Sequence, residues 1–448
     1  MTRLRTVHRC RNCGAATARW VGRCPTCGEW NALEEEAQPA ASATAAGAGP
    51  GAVVALAAVD PNTAVPTPTG VPELDRVLGG GLLPGSVTLV GGEPGVGKST
   101  LLLQVLLACT GAGGRALLVC AEESARQVRL RAERLGVLDD RLALLAGTDV
   151  TAVAGAVAAS GADLVVVDSI QAVREPSTPG PAGTVTQVRT CAEILVELAK
   201  TTEVPVVLVG HVTKDGALAG PRHLEHVVDT VLTVEGDRHH ALRLVRAVKH
   251  RFGPTGEVGL FEMGEAGLEA VADPQRLLLG DRQVSQPGCV VLPTIEGQRA
   301  LLVEVQALVA PAFGTQPRRQ VQGLDPGRLG LLLGVLHVRA GVTAMGSDVF
   351  TSVIGGIKVT EPAADLAVVL ALASAATERA LPADMVAFGE VGLGGELRRA
   401  VHAPRRMAEA ARLGFRYAIV PPACPDGPPG MRTLRVADVR EAITLLHG

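Results

Sequence analysis

The sequence predicts an α/β protein built around a parallel sheet with a phosphate-binding loop. A four-cysteine module precedes that sheet, and a second α/β or α+β domain follows it. Three observations carry the prediction. The apolar run Ser86-Val87-Thr88-Leu89-Val90 enters a glycine-rich loop that leads into the apolar, helix-like stretch Leu101 to Leu107. Strand-like and helix-like segments alternate from about Thr67 to Asp273, the pattern of a parallel sheet with crossover helices. Two Cys-x-x-Cys pairs stand within the first 33 residues.

The loop reads Gly92-Glu93-Pro94-Gly95-Val96-Gly97-Lys98-Ser99-Thr100. Strand, glycine loop and helix in this order are the setting in which G-x-x-x-x-G-K-[ST] binds a nucleotide triphosphate such as ATP. Glycines let backbone N–H groups close around phosphate oxygens, and the helix N-terminus adds positive potential. Lys98 is expected on the β- and γ-phosphates, with the Ser99 hydroxyl on Mg²⁺.

Length and composition bound the rest. A chain of 448 residues can hold two or three domains, each with a core. Hydrophobic residues make up 47% but aromatics only 2%, so cores must be built from Leu, Val and Ala. Few aromatics also leave few platforms for stacking nucleic-acid bases. The net charge of −3 means that a nucleic-acid partner must be met by local basic patches. No apolar h-region follows Met1-Thr2-Arg3-Leu4-Arg5, and no run is long and charge-free enough to span a bilayer. The expected compartment is the cytoplasm, with no membrane partner.

Cys10, Cys13, Cys24 and Cys27 give C-x2-C-x10-C-x2-C, and Gly14 and Gly28 follow the second cysteine of each pair. Each pair can present two thiolates from a tight turn, which predicts a closed, structural Zn²⁺ site over residues 1–33. A redox pair and an iron–sulfur centre are the alternatives, and the matched paired spacing favours zinc. Trp20 and Trp30 are expected to pack around this small module. Residues 34–66 are rich in Ala, Gly, Pro and Thr, and read as a flexible linker.

Within residues 67–273, the strand Arg115 to Cys120 ends beside Ala121-Glu122-Glu123-Ser124, followed by a helix from Ala125 to Leu135. Carboxylates at the C-terminal end of a parallel strand suit a water-activating base, while Glu and Ser before a helix equally suit capping. Both readings stand on local grounds. The strand Asp163 to Asp168 ends in the aspartate that a metal-holding strand requires, with Ser169 a second candidate beside it. Pro205 to Gly210 is a further strand, running into His211-Val212-Thr213-Lys214, where a polar residue can sense the γ-phosphate. Lys249 and Arg251 in Val248-Lys249-His250-Arg251-Phe252-Gly253 are expected in a short loop after a strand. They read either as a solvated charge cluster or as a cationic finger completing a neighbour's ATP site.

Residues 274–448 carry strands at about 294–309 and 348–359, and helices at about 324–339, 365–378 and 404–413. A strand and turn over 386–395 completes this part, which contains no second phosphate loop.

Taken in order, these motifs resemble the bacterial RadA (Sms) family of recombination and repair ATPases over nearly the whole chain. The likeness includes Trp20-x-Gly22-x-Cys24-Pro25, the loop at 92–100, Glu122-Glu123-Ser124 and Asp168. It also includes His211 to Lys214, Ala219 to His226, and the family's Lys-Asn-Arg-Phe-Gly motif, here Lys249-His250-Arg251-Phe252-Gly253. The resemblance implies a RecA-like ATPase core with Glu122 as the water-orienting base, Glu123 being its rival. Cys120-Ala121 replace the usual Ser-Gly before the acidic pair. It further implies a hexameric ring that acts with a RecA-type recombinase on single-stranded and branched DNA. In that ring Lys249 and Arg251 lie at a subunit interface or on DNA.

The C-terminal part resembles the proteolytic domain of Lon without its Ser–Lys dyad. Glu361-Pro362-Ala363-Ala364-Asp365 places Ala363 at the nucleophile position, and Pro404 stands at the lysine position. Neither side chain can serve as or activate a nucleophile. A scaffold that oligomerises and contacts DNA is expected instead, with Arg318, Arg319, Arg328 and Lys358 available to phosphates.

Overall fold

The computed structural model describes residues 5–10, 16–17, 20–25, 27–30, 33–38, 65–136, 138–211, 222–236, 242–271, 273–280, 286–312, 314 and 316–446. The chain forms two compact units, residues 1–62 and 63–448.

The first unit is a small antiparallel sheet of β1 (Arg5–Cys10), β2 (Ala16–Thr17) and β3 (Leu33–Gln38), with β1 central. Its third strand corrects the expectation of a linker from residue 34. Glu34, Glu35 and Glu36 lie in register opposite Arg9, His8 and Val7, so the ladder hydrogen bonds of β1 order a stretch whose composition alone argued for disorder.

In the second unit α1 (Pro72–Val77) precedes β4 (Val87–Gly92), α2 (Lys98–Gly111) and β5 (Ala116–Cys120). Then come α3 (Ala125–Arg134), β6 (Leu142–Ala146), α4 (Val150–Ser160) and β7 (Leu164–Asp168). The chain continues through α5 (Val185–Thr202), β8 (Val206–His211), α6 (Arg222–Val227) and β9 (Thr230–Glu235). An antiparallel extension follows: β10 (Leu242–His250), β11 (Val258–Gly264) and β12 (Gly267–Ala270). The sheet runs β12-β11-β10-β9-β4-β8-β7-β5-β6, and its members from β9 to β6 are mutually parallel.

Alternation along the strands divides this sheet between two cores. Val90, Leu118, Val166 and Val207 face α1, α2 and α3, whereas Leu89, Leu117, Val165 and Leu208 face α4, α5 and α6. Helix ends follow local chemistry. Ser124 and Gln127 form a reciprocal capping box at the start of α3, Asp149 caps α4, and Gly161 closes α4 with φ at 58°.

Beyond residue 273, α7 (Pro274–Leu279), capped by Asp273, leads into β13 (Cys289–Glu296) and β14 (Arg299–Pro311), a hairpin. Next come β15 (Arg319–Gln322), α8 (Pro326–Val335), β16 (Ser347–Val353) and α9 (Asp365–Thr377). The remaining elements are β17 (Met385–Ala387), β18 (Glu390–Val391), β19 (Leu397–Arg398) and α10 (Ala403–Arg412). The last are β20 (Tyr417–Val420), β21 (Arg432–Arg435) and α11 (Val439–Thr444). A mixed sheet of order β15-β16-β14-β13-β17-β20-β21 packs on the fully buried first three turns of α9. This is the α+β architecture expected of the C-terminal part.

The cores on either side of residue 273 are continuous. Leu242, Leu244, Val258 and Leu260 of the antiparallel extension join the hydrophobic cluster built by β13, β14, α8 and α9. Polar contacts cross the same seam. Glu73 accepts from the Leu260 N–H at 2.9 Å and from the Arg299 guanidinium at 2.5 Å, and Arg246 pairs with Glu296 at 2.5 Å.

Candidate functional site

The site sits at the C-terminal end of β4, where the parallel strands open toward α2 and α3. Gly95 and Gly97 adopt φ of 80° and 115°, which lets the chain wrap back and start α2 at Lys98. A side chain at Gly97 would be strained at this φ and would displace its neighbours: a Cβ there would meet Met263 Cε at 2.6 Å and Leu268 Cδ1 at 2.9 Å. The loop is therefore pressed against the extension formed by β11 and β12.

Lys98 is 5% exposed and donates to the Gly92 and Glu93 carbonyls at 2.8 and 3.0 Å. Burial lowers its pKa, while the carboxylates of Asp168 and Glu122 pull the other way. Asp168, at the end of β7, is raised by burial and opposed by a hydrogen bond from Ser99; Glu122 and Glu123 add to the rise. A carboxylate and a hydroxyl brought together at the first turn of α2 are the hard oxygen donors that suit Mg²⁺. The expected residues Lys98, Ser99, Thr100, Glu122 and Asp168 line one cavity of about 510 Å³ with Pro94, Gly95 and Gly97. Gly92 and Val96 belong to the same loop, and Glu93 contributes its carbonyl to Lys98.

The two adjacent glutamates have different partners. Ser169 Oγ donates to Glu122 Oε1, which ties Glu122 to the end of the aspartate strand. Glu123 is held by Arg131, one of the residues that line the cavity. Capping falls to Ser124 and Gln127 rather than to the glutamates. Sequence reading missed Arg131, because Glu123 lies before the N-cap of α3 and eight residues away, outside the offsets of three and four at which helical side chains pair. It also missed Arg243 of β10, which is buried in the cavity wall and donates to the Val96 carbonyl of the loop at 3.1 Å. Cys120 keeps its proton: burial, with Asp168 and Glu123 nearby, pushes the thiol up to about 12.

Lys249 and Arg251 are not brought to this cavity. The expected loop is an extended strand here, because β10 runs through Lys249 to His250 with a bulge between Ala247 and Lys249. Strand β10 is antiparallel to β9, so these residues lie at the end of the sheet where β4 begins. Along the strand direction, about 10 Å for Lys249 and roughly 17 Å for Arg251 separate them from Gly92, where the phosphate loop begins. Lys249 Nζ donates to the carbonyls of Glu225 in α6 and of Val228 just past it, at 2.5 and 2.7 Å. The half-exposed Arg251 pairs with Asp229 at 3.1 Å, and Asp229 Oδ2 accepts from the Val87 N–H at 3.0 Å. His250 Nδ1 accepts from the Phe252 N–H at 3.3 Å, which leaves Nε2 to donate to the Leu78 carbonyl at 3.0 Å. His211 ends β8, while Val212 to Pro221, including Thr213 and Lys214, lie outside the described residues.

In the first unit, the Sγ atoms of Cys10, Cys24 and Cys27 lie within 4.8 Å of one another, and Cys10 and Cys27 are 3.6 Å apart. Tetrahedral Zn²⁺ with bonds of about 2.3 Å needs thiolates roughly 3.8 Å apart, so this donor set fits zinc. Cys13 lies outside the described residues. The tryptophans do not form a core: Trp20 is 56% and Trp30 68% exposed, and Arg23 lies over the Trp30 ring. With so little chain to cover them, their rings remain at the surface.

In the C-terminal part, Ala363 is buried in the short turn before α9, and Pro404 sits in the first turn of α10. Between them runs an ion pair of Glu361 with the fully buried Arg406, which also donates to the Pro293 carbonyl. Arg328 is committed as well. It makes a bidentate contact with Asp365 and a bond to the Val391 carbonyl, so it is not available to phosphates as expected. Arg319 donates to the Met345 and Ser347 carbonyls, whereas Arg318 and Lys358 remain exposed. Among the described residues, no helix is long and apolar enough to cross a membrane.

A family model described as an AAA domain matches residues 67–217, and one described as a rubredoxin metal binding domain matches residues 8–35. The DNA repair protein RadA of Mycolicibacterium smegmatis is 46% identical, with 100% of this chain and 98% of that protein covered. Those of Bacillus subtilis and Pseudomonas aeruginosa are 43% and 44% identical, with coverage of 99% and 100% in both directions. Identity of this level over essentially the whole of both chains shows that the chain belongs to the RadA family of DNA repair proteins.

Proposed function

We propose that this protein is an ATP-driven DNA motor that binds single-stranded DNA and drives branch migration of recombination intermediates. The observation that carries the reading is the division of charge along one sheet. Lys98, Ser99, Glu122 and Asp168 gather at one end of β4, whereas Lys249 and Arg251 stand at the other. A basic motif that cannot reach its own nucleotide suits contact with DNA or with an adjacent copy. A hexameric ring working beside a RecA-type recombinase in the cytoplasm accords with that arrangement.

In this reading Lys98 leaves the Gly92 and Glu93 carbonyls for the β- and γ-phosphates. Glu122, steadied by Ser169, orients the attacking water and takes its proton. Ser99 and Asp168 would hold Mg²⁺, which would supply positive charge to offset the charge developing on the phosphates. Cys10, Cys13, Cys24 and Cys27 hold a structural Zn²⁺ in a finger of residues 1–33. Residues 67–273 are the ATPase domain, and residues 274–448 a Lon-like scaffold without peptidase activity. Its missing nucleophile and amine support that last assignment.

The test is branch extension on a three-stranded DNA intermediate, with wild type compared with Lys98→Ala and Arg251→Ala. Both variants are expected to lose extension, and only Lys98→Ala to lose basal ATP hydrolysis. Equal extension by all three proteins would sink the motor reading, as would an ATPase rate indifferent to single-stranded DNA.

A further inference from the structure

We propose that Arg131 is a positioning residue that withdraws Glu123 from the nucleotide site, leaving Glu122 as the base. The inference rests on the ATPase reading and settles which of two neighbouring carboxylates performs it. Glu122 and Glu123 follow β5 directly and both border the same cavity. Two carboxylates that close compete for the same water. The fold separates them. Ser169, next to the metal-holding Asp168, donates to Glu122, and Arg131 reaches back two turns along α3 to grip Glu123 at 2.5 Å.

The Arg131 side chain is 25% exposed and that of Glu123 is 37% exposed, so the pair lies at the rim of the cavity. A guanidinium here does two things. It supplies a fixed donor that orients Glu123 along α3, and it adds a positive charge that cancels the extra carboxylate beside Asp168. The capping box of Ser124 and Gln127 fixes the first turn of α3, so Arg131 is presented from a rigid helix rather than from a loop.

The test separates this role from direct contact with nucleotide. Carbodiimide labelling of the nucleotide-free protein, read by mass spectrometry, should modify Glu123 several-fold faster in Arg131→Ala than in wild type. In steady-state hydrolysis, Arg131→Ala should lower kcat by about tenfold with KM changed by less than about threefold. Arg131→Lys should recover part of the loss, since it restores a point charge without the planar fork. The decisive arm is Arg131→Ala combined with Glu123→Gln, which removes the released carboxylate and should restore kcat to within about threefold of wild type. No rescue in the double variant, or a loss confined to KM, would overturn the proposal and assign Arg131 to the nucleotide itself. Unchanged labelling of Glu123 would also overturn it. Glu122→Gln is the separate control: if it hydrolyses ATP normally, the assignment of Glu122 as base fails, whatever Arg131 does.

Discussion

At the residue scale the phosphate loop was legible because its chemistry is local. Glycines where the chain must turn left-handed, a lysine at the start of a helix and a hydroxyl beside it are all consecutive in sequence. Gly97 shows how closely the packing depends on that pattern. Gly97→Ala adds a Cβ at φ of 115° against Met263 and Leu268. We expect it to cost about 1–3 kcal/mol in urea unfolding and to weaken binding of a fluorescent nucleotide by at least about tenfold. His250 makes the opposite case. Its ring bridges the Leu78 carbonyl and the Phe252 N–H, and an asparagine amide also combines a donor with an acceptor. His250→Asn should therefore shift stability by less than about 1 kcal/mol, as read from the urea midpoint. The partners of Glu122 and Glu123 were not legible, since Ser169 and Arg131 meet them only after β5, β7 and α3 assemble.

At the element scale, runs of Val and Leu announced the parallel strands, and most helices of the C-terminal part fell where their apolar pattern put them. The misses have physical causes. Strand β3 is polar and takes its order from pairing with β1, and a partner is invisible to composition. Arg328 looked available until α8 and α9 came together and Asp365 claimed it. The clasp between Glu361, in the turn before α9, and Arg406 of α10 is of the same kind. Burial raises the Glu361 pKa, but Arg406, Thr294 and the Ile295 N–H outweigh it and hold the group below 4.5. A depressed carboxylate stabilises the fold above its unfolded value, and that contribution is lost as pH falls through the folded one. The stability gap between wild type and Glu361→Gln should thus be steady near neutral pH and close below pH 4.5 in urea titrations. Arg406→Met, which strands the carboxylate, should cost about 3–5 kcal/mol at pH 7 in the same assay.

At the scale of the whole molecule, the two compact units predict independent responses. Cys24→Ser should release bound zinc, measured by metal analysis, while nucleotide affinity stays within about twofold of wild type. Within the second unit independence ends. A fragment stopping at residue 273 would expose Leu242, Leu244, Val258 and Leu260, each a loss of about 1.5–3 kcal/mol if the face were left in water. Such a fragment should bind a hydrophobic dye and aggregate more than the full chain in a side-by-side assay.

Strand β4 acts as a tie rod. One end is pinned where Asp229 joins the Val87 N–H to the Arg251 guanidinium, and the other end is Gly92, the first residue of the phosphate loop. Between them the strand is hydrogen-bonded to β8 on one side and β9 on the other, with every residue buried. Such a member resists stretching and bending alike, so tension applied at Arg251 reaches the loop with almost no slack. The sheet is stiff along the line joining its two charged ends, and whatever gives way must do so outside that line.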